Sequence, residues 1–228
     1  MLSAIVVAAG RSKRFKGKIS KVLAQINNKP VIYYSLAVLN RHRDIGEIIV
    51  VASLKNIKAI KEIIRKYKIN KVKKIILGGR ERKDSVSLGL RSLSREAKDV
   101  LIHDGARPFI DNKIISLVIA AAKASGAAVA GVKVKPTIKR SDKGLWVKET
   151  LERENLWEIQ TPQVFSKKII LKAYNNLRSA KATDDAMLVE KIGIKVKIAP
   201  GSYNNIKITT PEDLSVSGVI FKNSKFRR

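Results

Sequence analysis

Short runs of β-branched and small apolar residues, with no polar alternation, recur at positions 5–7, 48–51, 74–77, 100–102 and 127–132. Runs of this kind predict strands buried on both faces, the habit of a parallel sheet. Between them, segments 30–40, 57–67, 85–93 and 113–125 carry apolar residues three and four positions apart, which predicts helices. Pro30 suits a first helical turn because its missing N–H has no partner there in any case. Strand and helix in alternation give an α/β fold with a doubly wound, mostly parallel sheet and helices on both faces. The rhythm breaks once, over 136–153, where the residues turn polar and Asp142-Lys143-Gly144 offers a tight turn. That stretch predicts a protruding β-arm of the sort that finds a partner subunit. Beyond it, Ser166 is placed to start a helix, 184–191 to form another, and Pro211 to open a last helix ending in the basic tail 222–228.

No repeat or linker divides the 228 residues, so a single domain spanning 1–228 is expected, with a core drawn from 45% hydrophobic content. The 47 Lys and Arg against 19 Asp and Glu leave a formal charge of +28, which points to anionic ligands. With no cysteine and only His42 and His103, thiolate chemistry and zinc sites built on sulfur or imidazole are excluded, and a metal must use oxygen ligands. The apolar run at the N-terminus stops at Ala9, too short for a bilayer and without a secretory leader's charge pattern. A soluble, cytoplasmic protein that uses no membrane is expected.

Ligands of open parallel sheets bind beyond the carboxyl ends of the strands, so those junctions are where chemistry is sought. The first reads Ala8-Ala9-Gly10, a turn nearly free of side-chain bulk, followed by Arg11, Lys13, Arg14, Lys16, Lys18 and Lys21. Its spacing fits neither a P-loop nor a dinucleotide fingerprint. It reads equally as a phosphate loop or as a solvated basic loop. The third junction, Gly78-Gly79-Arg80-Glu81-Arg82-Lys83-Asp84-Ser85, allows close backbone approach and places Asp84 or Ser85 at a helix start. The fourth, His103-Asp104-Gly105-Ala106-Arg107-Pro108, puts a carboxylate and a guanidinium just past a buried strand. Asp104 there serves a ribose hydroxyl or Mg²⁺, or else pairs with Arg107 to shape the loop. His103 is expected to pack or hydrogen-bond rather than to catalyse.

These segments, with Thr137-Ile138-Lys139-Arg140, the 156–163 stretch, Thr183-Asp184-Asp185, 205–209 and Pro211-Glu212-Asp213, appear in an order that resembles the 2-C-methyl-D-erythritol 4-phosphate cytidylyltransferases over nearly the whole chain. The resemblance implies a Rossmann-like domain that dimerises through its β-arm, and joins CTP to 2-C-methyl-D-erythritol 4-phosphate with Mg²⁺ carried mainly by the nucleotide phosphates. It assigns Arg14, Lys21, Arg153 and Lys207 to catalysis. The nucleotide falls to Ala8, Ala9, Gly10, Gly79, Arg82, Ser85, Asp104 and Gly105. The acceptor falls to Asp104, Arg107, Thr161, Thr183 and Lys207, with Thr137 and Arg153 supplied by the neighbouring arm. Val7, Ser20 and Arg80 depart from residues common in that family. A sister activity, ribitol 5-phosphate cytidylyl transfer, shares the nucleotide half. A nucleic-acid-binding role is the reading from another class; the cations are spread over nearly every predicted element, aromatics are 5%, and no stacking motif occurs, so no nucleic-acid partner is expected.

Overall fold

A computed structural model of the chain describes residues 1–10, 15, 19–176 and 182–223. Strand β1 (Leu2–Ala8) leads through a small hairpin, β2 (Gln25–Ile26) and β3 (Lys29–Pro30), into helix α1 (Val31–Arg41). Then follow β4 (Ile45–Ala52), α2 (Ile57–Lys66), β5 (Val72–Leu77), α3 (Arg82–Arg91), β6 (Asp99–Asp104), α4 (Asn112–Ser125) and β7 (Ala127–Lys133). The arm is a separate two-stranded sheet, β8 (Ile138–Ser141) against β9 (Val147–Leu151). The chain returns through β10 (Trp157–Ser166), α5 (Lys167–Asn176), α6 (Asp185–Lys191), β11 (Lys197–Pro200) and α7 (Pro211–Asn223).

Seven strands form one sheet in the order β11-β7-β10-β6-β1-β4-β5. Strand β1 pairs in parallel with β4 and β6, whereas β10 runs antiparallel between β6 and β7. Alternate residues of β1 feed two cores. Ala4, Val6 and Ala8 pack with Ile32 and Leu36 of α1, Ile60 of α2 and Ile115 of α4. Ile5 packs on the opposite face with Val86 of α3, Ile170 of α5 and Val189 of α6. This is the doubly wound fold expected from the runs of apolar residues. Because the chain leaves β1 toward β4 but reaches β6 on its other side, a crevice opens above the carboxyl end of β1.

The structure departs from the pattern of the sequence in several places. Strand β5, expected to be buried on both faces, lies at the sheet's edge and has no buried residue, and Pro30 stands just before α1 rather than in its first turn. Strand β10 breaks the apolar rule because its central residues Gln160, Thr161 and Gln163 are polar yet buried, held by hydrogen bonds that no periodicity reveals. Helix α3 starts at Arg82 rather than at Ser85, since the Asp84 carboxylate turns back to accept the Glu81 N–H at 3.0 Å and closes the first turn early. At the arm's tip, Asp142 Oδ1 accepts the N–H groups of Gly144 and Trp146, and Leu145, Trp146 and Val147 stand exposed. No helix among the described residues is long and apolar enough to cross a membrane.

Candidate active site

The carboxyl ends of β1 and β6, the turn after β5 and the start of α3 enclose a cavity of about 550 Å³. Ala8, Ala9, Gly10, Lys21, Gly79, Arg82, Ser85, Asp104 and Lys207 line it, with Arg80 and Thr209 among the remaining lining residues. Most of the residues assigned to nucleotide and catalysis thus meet in one place. Arg14 lies outside the described residues. Gly105 is buried directly behind the rim, its N–H donated to the Val7 carbonyl. Thr183 is exposed, and Thr137 and Arg153 are exposed at the base of the arm, where Arg153 donates to the Lys135 carbonyl at 2.6 Å.

The glycine turn forms one wall. A Cβ on Gly78 would stand 2.3 Å from Ala9 Cβ and 2.8 Å from Ser85 Oγ, so only glycine lets the β5 turn lie against the β1 loop. Ser85 is buried and ties this wall together, accepting from the Gly79 N–H at 3.2 Å and donating to the Glu81 carbonyl at 3.1 Å. On the near side, Asn56 at the head of α2 does not use its side chain as a cap. Its Nδ2 reaches Ser20 Oγ at 2.9 Å, beside Lys21.

At the centre sits Asp104. Its Oδ1 accepts from Arg82 Nε at 3.1 Å and its Oδ2 takes Lys207 Nζ at 2.6 Å, while Arg107 Nε stands farther off at 4.0 Å. The Asp104–Arg107 pairing considered from sequence is therefore the loosest of the three. Burial alone would raise the Asp104 pKa, but the charges of Arg82 and Lys207, a hydrogen bond from Lys207 and the charge of Arg107 hold it well below the usual carboxylate range. Arg82 turns its Nη1 to the buried Asp185 at 2.8 Å, and the two carboxylates outweigh burial to raise its pKa.

Arg107 and Thr161 lie beneath the floor. The Arg107 guanidinium donates to the Asn205 carbonyl at 2.7 Å, and burial lowers its pKa. The Thr161 hydroxyl oxygen accepts the Asp104 N–H at 3.0 Å and sits 3.1 Å from His103 Nδ1. His103 Nε2 lies 3.3 Å from the Arg107 carbonyl, so the neutral ring donates there and accepts the Thr161 proton. Burial is the main cause that pushes His103 down to about 4. Sequence reasoning missed Asp185, Tyr174, Gln163 and Asn205 as parts of this network; the doublet Asp184-Asp185 was the available signal.

A profile of the family described as 2-C-methyl-D-erythritol 4-phosphate cytidylyltransferase matches residues 2–223. The chain belongs to that family. Among relatives bearing this name, the one from Alkaliphilus metalliredigens is 45% identical, covering 98% of this chain and 94% of its own. One from Clostridium botulinum is 47% identical over 93% of each. The crystal structure of 4-diphosphocytidyl-2C-methyl-D-erythritol synthase from Anaerococcus prevotii superposes with a TM-score of 0.86 at 33% identity, covering 97% of this chain and 98% of that one. That of the 2-C-methyl-D-erythritol 4-phosphate cytidylyltransferase from Thermus thermophilus gives 0.79 at 27%, over 97% and 100%.

In this cytidylyltransferase-family chain, Gly78→Ala should lower stability by about 1–3 kcal/mol, because Ala9 and Ser85 must move apart; urea unfolding at wild-type stability would show that the wall yields freely. His103 binds its proton less readily folded than unfolded, where its pKa is near 6.5. Its contribution is thus complete above about pH 6.5 and fades as pH falls toward 4. By pH 4.5 the loss should reach about 2–3 kcal/mol. Imidazole NMR checks this directly: a His103 ring that titrates near 6.5 in the folded chain removes the effect.

Proposed function

We propose that the cavity performs cytidylyl transfer: the phosphate of 2-C-methyl-D-erythritol 4-phosphate attacks the α-phosphorus of CTP in line. A new P–O bond forms, the bond to the β-phosphate breaks, and pyrophosphate leaves with the electron pair. The product is 4-diphosphocytidyl-2-C-methyl-D-erythritol, an intermediate of the non-mevalonate isoprenoid pathway. The observation that carries this reading is the cavity itself, which combines a bulk-free loop, Lys21, Arg82, Lys207 and a carboxylate held ionised at the end of β6.

The chief obstacle is that two anions must meet. At about 4 Å two unit charges repel by roughly 1 kcal/mol in water and about 4 kcal/mol at an effective dielectric near 20, so a partly desolvated site needs fixed cations. In this proposal Lys21 and Arg14 offset charge on the triphosphate and the departing pyrophosphate, with little proton transfer required. Ala8, Ala9, Gly10 and Gly79 let backbone N–H groups approach the nucleotide, Ser85 lies near the base, and Asp104 and Gly105 lie near the ribose. Lys207 serves the acceptor side; Arg107 and Thr161, expected from sequence to touch the acceptor, are buried beneath the floor and act by holding Asn205 and Asp104, and Thr183 lies outside the cavity lining.

The side chains present do not suit a metal held by the protein alone. Both Asp104 oxygens already face cations, and no group of three or more metal-ligating side chains occurs among the described residues. In this reading Mg²⁺ arrives with CTP as part of the substrate, and no step is assigned to a protein-bound ion. The arm is proposed to dimerise the enzyme and to carry Thr137 and Arg153 to the partner's site, with the exposed Leu145, Trp146 and Val147 as contact surface. A cytoplasmic setting completes the proposal.

Pyrophosphate release from CTP and 2-C-methyl-D-erythritol 4-phosphate, with Mg²⁺, tests the reaction; faster turnover with ribitol 5-phosphate would transfer the assignment to the sister activity. Arg14→Ala or Lys21→Ala should each raise the barrier by about 3 kcal/mol, near a hundredfold in rate, and normal turnover in both sinks the electrostatic account. Arg14→Lys should also fall short, since an ammonium lacks the planar fork. Mixing inactive Lys21→Ala and Arg153→Ala chains should regain activity, because a mixed dimer rebuilds one intact site. Mixtures as inert as their components mean that Arg153 serves its own chain, and an Arg153→Ala chain with wild-type turnover means that it serves neither site.

A further inference from the structure

The cluster around Asp104 does not end with Arg82. Asp185, fully buried at the start of α6, takes Arg82 Nη1 at 2.8 Å through Oδ2, and its Oδ1 accepts the Tyr174 hydroxyl at 2.6 Å. Residues on both sides of Asp185 are pinned as well. Gln163 of β10 donates from Nε2 to Asp184 Oδ2 at 2.8 Å, and its Oε1 accepts the Ala186 N–H at 3.2 Å. Asp184 in turn accepts the Met187 N–H at 3.0 Å. One line of contacts therefore runs from α5 through α6 and α3 to the end of β6: Tyr174, Asp185, Arg82, Asp104, Lys207.

A guanidinium has five N–H donors in a rigid plane, so fixing one nitrogen sets where the others face. With Nη1 in ion-pair contact with Asp185 and Nε hydrogen-bonded to Asp104, both ends of the plane are engaged, and Arg82 is kept from swinging toward an anion in the cavity that it lines. The anchor is buried, where an unpaired charge is costly, so the arrangement resists rearrangement.

We propose that Asp185, backed by Tyr174, is a positioning residue for nucleotidyl transfer, acting through Arg82 to hold Asp104 and Lys207 in working register. The proposal rests on the cytidylyl-transfer reading above. Removing the Asp185 charge makes the site more cationic, so CTP should bind at least as well while the reacting groups lose their register.

Asp185→Asn should thus lower kcat by about tenfold or more, with CTP binding measured by calorimetry no weaker than in wild type. In an Arg82→Gln background the same substitution should change kcat less than about twofold, since its route of action is already gone. Should Asp185→Asn fail to fold, Tyr174→Phe removes only the anchoring hydroxyl and should produce a smaller loss of kcat, again with CTP binding intact. Unchanged kcat, CTP affinity that weakens in step with kcat, or equal losses with and without Arg82 overturn the positioning role. A wild-type chain that binds CTP but releases no pyrophosphate with either alcohol phosphate overturns the functional reading instead.

Discussion

Everything in the site turns on one carboxylate that is buried and nonetheless charged. Asp104 sits at the end of β6, where solvent cannot stabilise its charge, and three cations supply what water does not. Each arrives on a different part of the chain: Arg82 with α3, Arg107 with the loop after β6, and Lys207 from beyond β11. The Asp104 N–H is also engaged, by Thr161 of β10. The carboxylate is thus less a ligand of one partner than the point at which three distant segments, α3, β10 and the stretch beyond β11, are brought into register with the end of β6.

That constraint explains why β10 looks wrong for a central strand. It runs antiparallel between β6 and β7 and replaces apolar side chains with Gln160, Thr161 and Gln163. Gln160 reaches the Ser202 carbonyl and Asn205, Thr161 reaches Asp104 and His103, and Gln163 reaches the α6 start. Buried amides and hydroxyls of this kind are tolerable because they are paired, and the pairing fixes the loops above them. The strand thereby connects the base of the arm at Trp157 to the floor of the cavity.

Much of this was legible in the chain. The apolar runs 48–51 and 100–102 announced parallel strands, and the rule that ligands lie beyond carboxyl ends led directly to Ala8, Gly79 and Asp104. The family motifs supplied Lys207, which no periodicity would single out. What stayed hidden has a common physical cause. Asp185 and Tyr174 matter through side-chain contacts between residues far apart in sequence, and a tyrosine at helical spacing reads as ordinary core. Strand β10 was obscured because its polar residues are buried for hydrogen bonding rather than for burial's own sake, which defeats any pattern based on hydrophobicity.

The last of the cations to be synthesised is Lys207, and Asn205, which receives Arg107, precedes it by two residues. The strands β1, β4 and β6 and their helices are all synthesised well before these residues, since they lie upstream. Until the segment beyond β11 emerges, Asp104 lacks its shortest ion pair and Arg107 its carbonyl acceptor. Translation therefore leaves the pocket electrostatically unfinished almost to the end, and a product terminated before Lys207 would leave Asp104 without that balance.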